Sequence, residues 1–157
     1  AFAFGEVQLP AAAQLRELGH NLVDLAKSYE QTGAGASAQT VRQIGLNLGQ
    51  RMDSSSGQWR PWITELVGMA IQMDVLRSLD PASPYGSTGQ TVQARLEEMT
   101  AHRQSIKESA IQAAQMLDGL PELEVVNYFD RVKTFGEVPA SQWLLDKHRQ
   151  SLVNRNP

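Results

Sequence analysis

Hydrophobic positions along this chain recur at helical spacing from one end to the other. The longest run covers Gln90–Leu117, where Val92, Leu96, Met99, Ile106, Ala110, Ala113 and Leu117 alternate by four and three, broken only at Arg103. Such a seam marks one side of a helix on which another helix packs. Ser87-x-x-Gln90 reads as a capping box. Gly119 suits the left-handed C′ position, with Leu120 placed to close the motif and Pro121 to bar continuation. The spacing therefore predicts a long central helix over about 88–118, roughly 40 Å in length at 1.5 Å per residue.

Five further helices follow from the same reading. Pro10 opens the first, with Leu15, Leu18, Leu22, Leu25 and Tyr29 inward and Gly33 as its stop. Ser37 caps a second, with Val41, Ile44, Leu48 and Met52 inward. The short Gly33–Ala36 connection makes these two antiparallel neighbours. Beyond the polar break Asp53–Gly57, Pro61 starts a third helix. It is apolar at Trp62, Leu66, Met69, Met73 and Leu76, and Ile63, Val67 and Ala70 widen that face to imply burial on more than one side. Pro121 starts a fifth with Leu123, Val126, Phe129 and Val132 inward, ended by Gly136. Pro139 starts a sixth carrying Trp143, Leu144 and Leu152. Nowhere do four to eight residues alternate as a half-buried strand does, and Val125–Phe129, though rich in β-formers, sits between a proline start and a glycine stop. The expected fold is all-α: about six helices in one domain over 10–153, an antiparallel bundle or short superhelix, preceded by an extension over 1–9.

The first hairpin resembles a tetratricopeptide repeat. That family's first helix reads W-x-x-L-G-x-x-Y and its second carries a small residue before A-x-x-x-F. Here the matching residues are Leu22-x-x-Leu25-Ala26-x-x-Tyr29, the turn at Gly33, and Ala38. Arg42 stands where the aromatic belongs and Gln50 where the closing proline belongs. Leu66-x-x-Met69-Ala70-x-x-Met73 echoes the pattern once more, before a loop too long for the family's period. The resemblance covers about 30 residues and implies a protein- or peptide-binding scaffold.

Composition narrows the chemistry. The 157 residues are 41% hydrophobic, enough for a core. A net charge of −3 offers no field for nucleic acid or an anionic membrane. Lys147, His148, Arg149 and Arg155 form only a weak basic cluster. No stretch is long and apolar enough to span a bilayer. The absence of cysteine removes disulfides, thiolate nucleophiles and cysteine-based zinc sites. Ala1-Phe2-Ala3 has the small-x-small look of a signal-peptide cleavage end, which leaves the compartment open between an extracytoplasmic domain, periplasmic or secreted, and a plain chain start with Phe2 and Phe4 packing on the body or disordered.

Candidate site residues are few. Glu17-x-x-His20 has the spacing of one half of a carboxylate-bridged di-metal site. No second such pair exists, however, and both residues fall opposite the leucine stripe, facing water. Glu98 and His102 form an i,i+4 surface pair, and His148 lies among exposed charges. Neither a nucleophile elbow nor a phosphate-binding glycine loop is present. Trp59-Arg60-Pro61-Trp62 matches a short peptide by which certain transcriptional repressors recruit a co-repressor. That peptide acts as a free C-terminus, whereas here it opens an internal helix, so the tryptophans are read as pinning the helix start while Arg60 stacks on one of them. Arg103 is expected to snorkel outward or to pair with Asp74, Asp130 or Glu124. No catalytic, cofactor-binding or metal-ligating residue is assigned. The expected function is a non-enzymatic helical interaction or structural domain with a protein or peptide partner. The alternative is a ligand-binding or enzymatic bundle whose site is assembled from residues distant in sequence, with Tyr85 and the Asp80–Gly89 loop its natural place.

Overall fold

A computed structural model of the chain describes residues 4–53, 62–86 and 89–153. It is all-α, with six helices among the described residues: α1 (Phe4–Gln31), α2 (Gly35–Asp53), α3 (Trp62–Arg77), α4 (Val92–Leu117), α5 (Glu122–Phe135) and α6 (Glu137–Val153). Two strands of two residues, β1 (Pro84–Tyr85) and β2 (Gln90–Thr91), pair antiparallel between α3 and α4. None of the described helices is long and apolar enough to cross a membrane. The contacts divide the described residues into two compact units. The first holds α1, α2, α3 from Ile63, the strands and α4 as far as Thr100; the second holds Trp62, α4 from Ala101, α5 and α6. The break in α4 falls beside Arg103, where the sequence seam is interrupted.

In the first unit α3 is the most deeply buried element. Leu66 to Met73, Val75 and Leu76 are all buried, so α3 is covered on more than one side, as the sequence implied. Glycine makes that burial possible. A Cβ added at Gly49 would lie 2.5 Å from Gln72 Cγ and 2.7 Å from the Gly68 carbonyl oxygen. At Gly45 it would meet Val75 Cγ2 at 2.8 Å, and at Gly19 Ile71 Cγ1 at 2.9 Å. Gly45 and Gly49 share a face of α2 one turn apart, a small-x-x-x-small pair that lets two helix backbones approach closely. Ala26 and Ala38, both without exposed surface, close α1 on α2, with Val41 and Leu22 against them.

This glycine-and-alanine seam corrects the expected inner faces. On α1 the buried residues are Gly19, Val23 and Ala26, whereas Leu18 and Leu25 are 44% and 45% exposed and Tyr29 is exposed too. On α2, Gly45, Leu46 and Gly49 go inward and Ile44 outward. Hydropathy ranks leucine above glycine, but the closest approach needs the smallest side chain.

Helix ends follow local chemistry. Gly33 takes φ 78°, Ala34 N–H donates to Tyr29 C=O and Gly33 N–H to Glu30 C=O, so α1 stops where the sequence placed it. Its start differs: the helix runs back through Pro10 to Phe4, since a proline's fixed φ is itself helical and only one donor is lost. The second helix begins at Gly35, two residues ahead of the expected cap Ser37. The expected capping box at Ser87 lies outside the described residues, and Gln90 belongs to β2. The α4 start is capped instead by Thr91 Oγ1, which accepts from Ala94 N–H at 3.2 Å. Ser83 and Pro81 carbonyls accept from Val92 and Gln93 N–H at 2.9 and 3.0 Å. The Asp80–Gly89 loop thus serves as the cap of α4. Gly119 does not adopt a left-handed φ; the last turn tightens through i→i−3 bonds from Gly119 to Met116 and from Leu120 to Leu117.

Arg42 shows why no aromatic is needed at its position. It is buried, its Nη1 donates to Glu30 Oε1 at 2.7 Å, and its Nε and Nη2 donate to the Ser78 hydroxyl and carbonyl. One guanidinium fork therefore ties α1 and α2 to the C-terminal end of α3, where the helix dipole favours a cation. The same hydrogen bond holds the Glu30 carboxyl below its ordinary value.

In the second unit Ala113, Tyr128, Val132, Ala140 and Leu144 form the core. Here too the register is corrected. The inward residues of α5 are Tyr128 and Val132, while Leu123 is 72% exposed and Val126 and Phe129 are exposed as well. A clasp of charge and ring explains the rotation: Arg131 lies 4.4 Å from the Trp143 ring centre, and Lys147 lies over the same ring while pairing with Glu124 at 3.0 Å. Gly136, at φ 92°, ends α5 as expected, and α6 starts two residues ahead of Pro139. The calls on Asn154–Pro157, on the Leu152 side chain and on the N-terminal Ala1-Phe2-Ala3 lie outside the described residues.

Candidate functional site

Two kinds of surface stand out, a groove in the second unit and apolar stripes left open on each unit. The groove has a volume of about 490 Å³. Its floor is α4, where Ala110 and Ala114 are one turn apart and leave room above the backbone; Ile111 and Leu117 flank them, and Trp62 and Tyr128 form the walls. Polar groups gather toward one end. Lys107 lies one turn before Ala110 and Ile111, and Ser141 Oγ sits 3.3 Å from the Tyr128 hydroxyl. Burial pushes the Tyr128 phenol up, and either hydroxyl of the pair can donate to the other. From Lys107 to Leu117 the lining of α4 extends roughly 15 Å.

Next to the polar end is a small cavity of about 10 Å³ bounded by Trp62, Ser109, Glu137 and Ser141. Here Glu137 Oε2 accepts the backbone N–H of Trp62, the first residue of α3, at 2.9 Å. Burial raises the Glu137 carboxyl above its ordinary value, and the Trp62 N–H opposes this only in part. A carboxyl raised on folding contributes stability below its unfolded pKa and loses it as pH rises through the folded one. Glu137→Gln keeps an acceptor for Trp62 while removing the buried charge. Its melting temperature should therefore exceed the wild type's at neutral pH, with the gap closing as pH falls below about 4, where both carry an uncharged side chain. Circular dichroism melts at the two pH values measure this, and a variant less stable at neutral pH would show that the charge itself holds Trp62.

The open stripes are the second feature. By helical geometry Leu18, Leu25 and Tyr29 on α1 share, with Ile44 on α2, the face of the hairpin turned away from α3. In the second unit Leu123, Val126 and Phe129 form a stripe along α5.

The residues singled out in the sequence do not converge. Glu17 is exposed. His20 is half-exposed rather than fully solvated, with Nδ1 3.4 Å from Asp74 of α3. His102 and His148 are exposed. No group of three or more metal-ligating side chains occurs among the described residues. Tyr85 sits under Arg95, whose guanidinium is 5.9 Å from the ring centre and pairs with Glu98. Asp74 and Asp130 pair with Arg77 and Lys133, and Glu124 with Lys147, so the partners expected for Arg103 are engaged elsewhere. Its Nε is buried without a hydrogen-bond partner among the described residues. Residues 59–61 of the tryptophan motif lie outside the described residues; Trp62 lines the groove. The groove itself escaped the sequence reading, although Lys107, Ala110, Ile111, Ala114 and Leu117 share one face of α4 at helical spacing. Comparison with models of known protein families, with curated proteins and with solved structures finds no match for this chain.

Proposed function

We propose that this chain is a non-enzymatic helical interaction domain that docks a protein partner on the α1–α2 hairpin. The observation that carries the reading is the open stripe of Leu18, Leu25, Tyr29 and Ile44. The sequence spends large apolar side chains at helical spacing on a face that α2 and α3 leave uncovered, because glycine and alanine already supply the internal seam. Contiguous apolar surface of this kind marks partner sites. Its form, a row on one helix beside a neighbour, suits an amphipathic helix laid along it. The hairpin's resemblance to a tetratricopeptide repeat points to the same class of partner.

The test is the double variant Leu18→Asp/Leu25→Asp. Both residues are nearly half exposed, so circular dichroism and the melting temperature should stay close to the wild type's. Proteins retained from an extract of the source organism are then compared quantitatively between the two forms. A partner retained by the wild type and lost by the folded variant is the expected outcome; equal recovery by both removes the hairpin face from consideration.

A further inference from the structure

We propose that the groove of the second unit binds a single-chain amphiphile with a carboxylate head and a medium-length hydrocarbon tail, the head at Lys107 and the tail toward Leu117. This site is separate from the hairpin face and does not depend on it.

The argument begins with charge. Arg103 and Lys107 stand one turn apart on α4, two cations of like sign at a spacing that disfavours them when nothing lies between. Helical neighbours of Lys107 at three and four positions are Arg103, Gln104, Ala110 and Ile111, none of them acidic. Neither cation forms an ion pair among the described residues, and the carboxylates that might have served are held by other bases. Lys107 is nonetheless half-buried and lines the groove. A half-buried ammonium beside apolar surface calls for an anion.

Shape supplies the rest. Tyr128 and Ser141 add two hydroxyl groups to the lining. Beyond them the lining is the methyl and methylene groups of Ala110, Ala114, Ile111 and Leu117 and the Trp62 ring. A volume of about 490 Å³ lies within the range of small-molecule sites, roughly 300–1,000 Å³. Glu137 lines the adjoining cavity and is occupied by the Trp62 N–H, Glu108 is occupied by the Gln104 amide, and that cavity, at about 10 Å³, has no room for a ligand.

Isothermal titration calorimetry with decanoate, decanol and decyltrimethylammonium, each below its micellar range, tests the assignment on the full chain. Decanoate should bind saturably and tightest. Lys107→Met keeps the unbranched shape, one atom shorter, and removes the charge; it should weaken decanoate by between about ten- and a hundred-fold and bring it level with decanol. Ala114→Trp, at an exposed position on the floor, should abolish binding of both while circular dichroism stays unchanged. The proposal fails if no saturable binding occurs, if decanoate binds no tighter than decanol or the cationic amphiphile, or if folded Lys107→Met binds decanoate as the wild type does. It fails equally if folded Ala114→Trp still binds.

Discussion

Gly49→Ala should lower the stability of the chain by about 1–3 kcal/mol, although alanine is the better helix former. Two effects oppose each other. Alanine gains about 1 kcal/mol of helix propensity over glycine in a helix interior. Against that, the new Cβ would lie 2.7 Å from the backbone carbonyl oxygen of Gly68, as well as 2.5 Å from Gln72 Cγ. A flexible side chain can turn aside, but a carbonyl in a buried helix cannot move without taking α3 with it. The steric term wins. Gly35→Ala is the control, since nothing lies within 4 Å of a Cβ there and its φ is not left-handed. It should change stability by no more than about 0.5 kcal/mol. Urea unfolding followed at the helical dichroism band gives both values. A Gly49→Ala chain more stable than the wild type would mean that α2 and α3 do not approach as closely as described.

The second large effect is expected at Leu144. With 1% of its surface exposed, among Tyr128, Val132 and Ala113, truncation to alanine removes buried methyl groups and leaves a cavity that Ala113 and Ala140 are too small to fill. The cost should be about 3 kcal/mol, in the middle of the range for such truncations. Leu123→Ala, on the neighbouring helix, removes the same atoms from a side chain 72% exposed and should cost within about 0.5 kcal/mol. Sequence periodicity placed Leu123 inward, so the pair separates the observed rotation of α5 from the expected one. Equal losses for the two would place Leu123 in the core and overturn the Tyr128–Val132 face.

These two experiments address the same misreading. Hydrophobic periodicity finds helices reliably because a helix needs some apolar stripe to fold at all. It does not say which of two candidate stripes is covered. On α1 the row Leu18, Leu25, Tyr29 and the row Gly19, Val23, Ala26 lie side by side, and a hydropathy count prefers the first. Packing prefers the second, because helices that touch through glycine and alanine bring their backbones together and bury polar and apolar atoms alike at high density. The available signal was Gly45-x-x-x-Gly49, a spacing without purpose on an exposed helix. On α5 the deciding factor was Trp143, which draws Arg131 and Lys147 over its ring and so fixes which side of α5 faces α6. No local pattern in either helix announces that contact.

Taken by itself, the sequence determined the all-α class and the number of helices. It also determined the stops at Gly33 and Gly136 and the burial of α3 on more than one side. Each of these depends on residues near one another in the chain: a glycine free to take a positive φ, a proline barring continuation, or apolar residues on more than one side of one helix. Tertiary structure alone decided which stripes of α1, α2 and α5 were covered and that Arg42 would tie three helices together. It decided as well that the Asp80–Gly89 loop would cap α4, and that Trp62, Lys107, Tyr128 and Ser141 would line one groove. Those outcomes turn on how closely two backbones can approach and on which partner reaches a charge first, and the groups lining the groove are up to 79 positions apart, as Trp62 and Ser141 are.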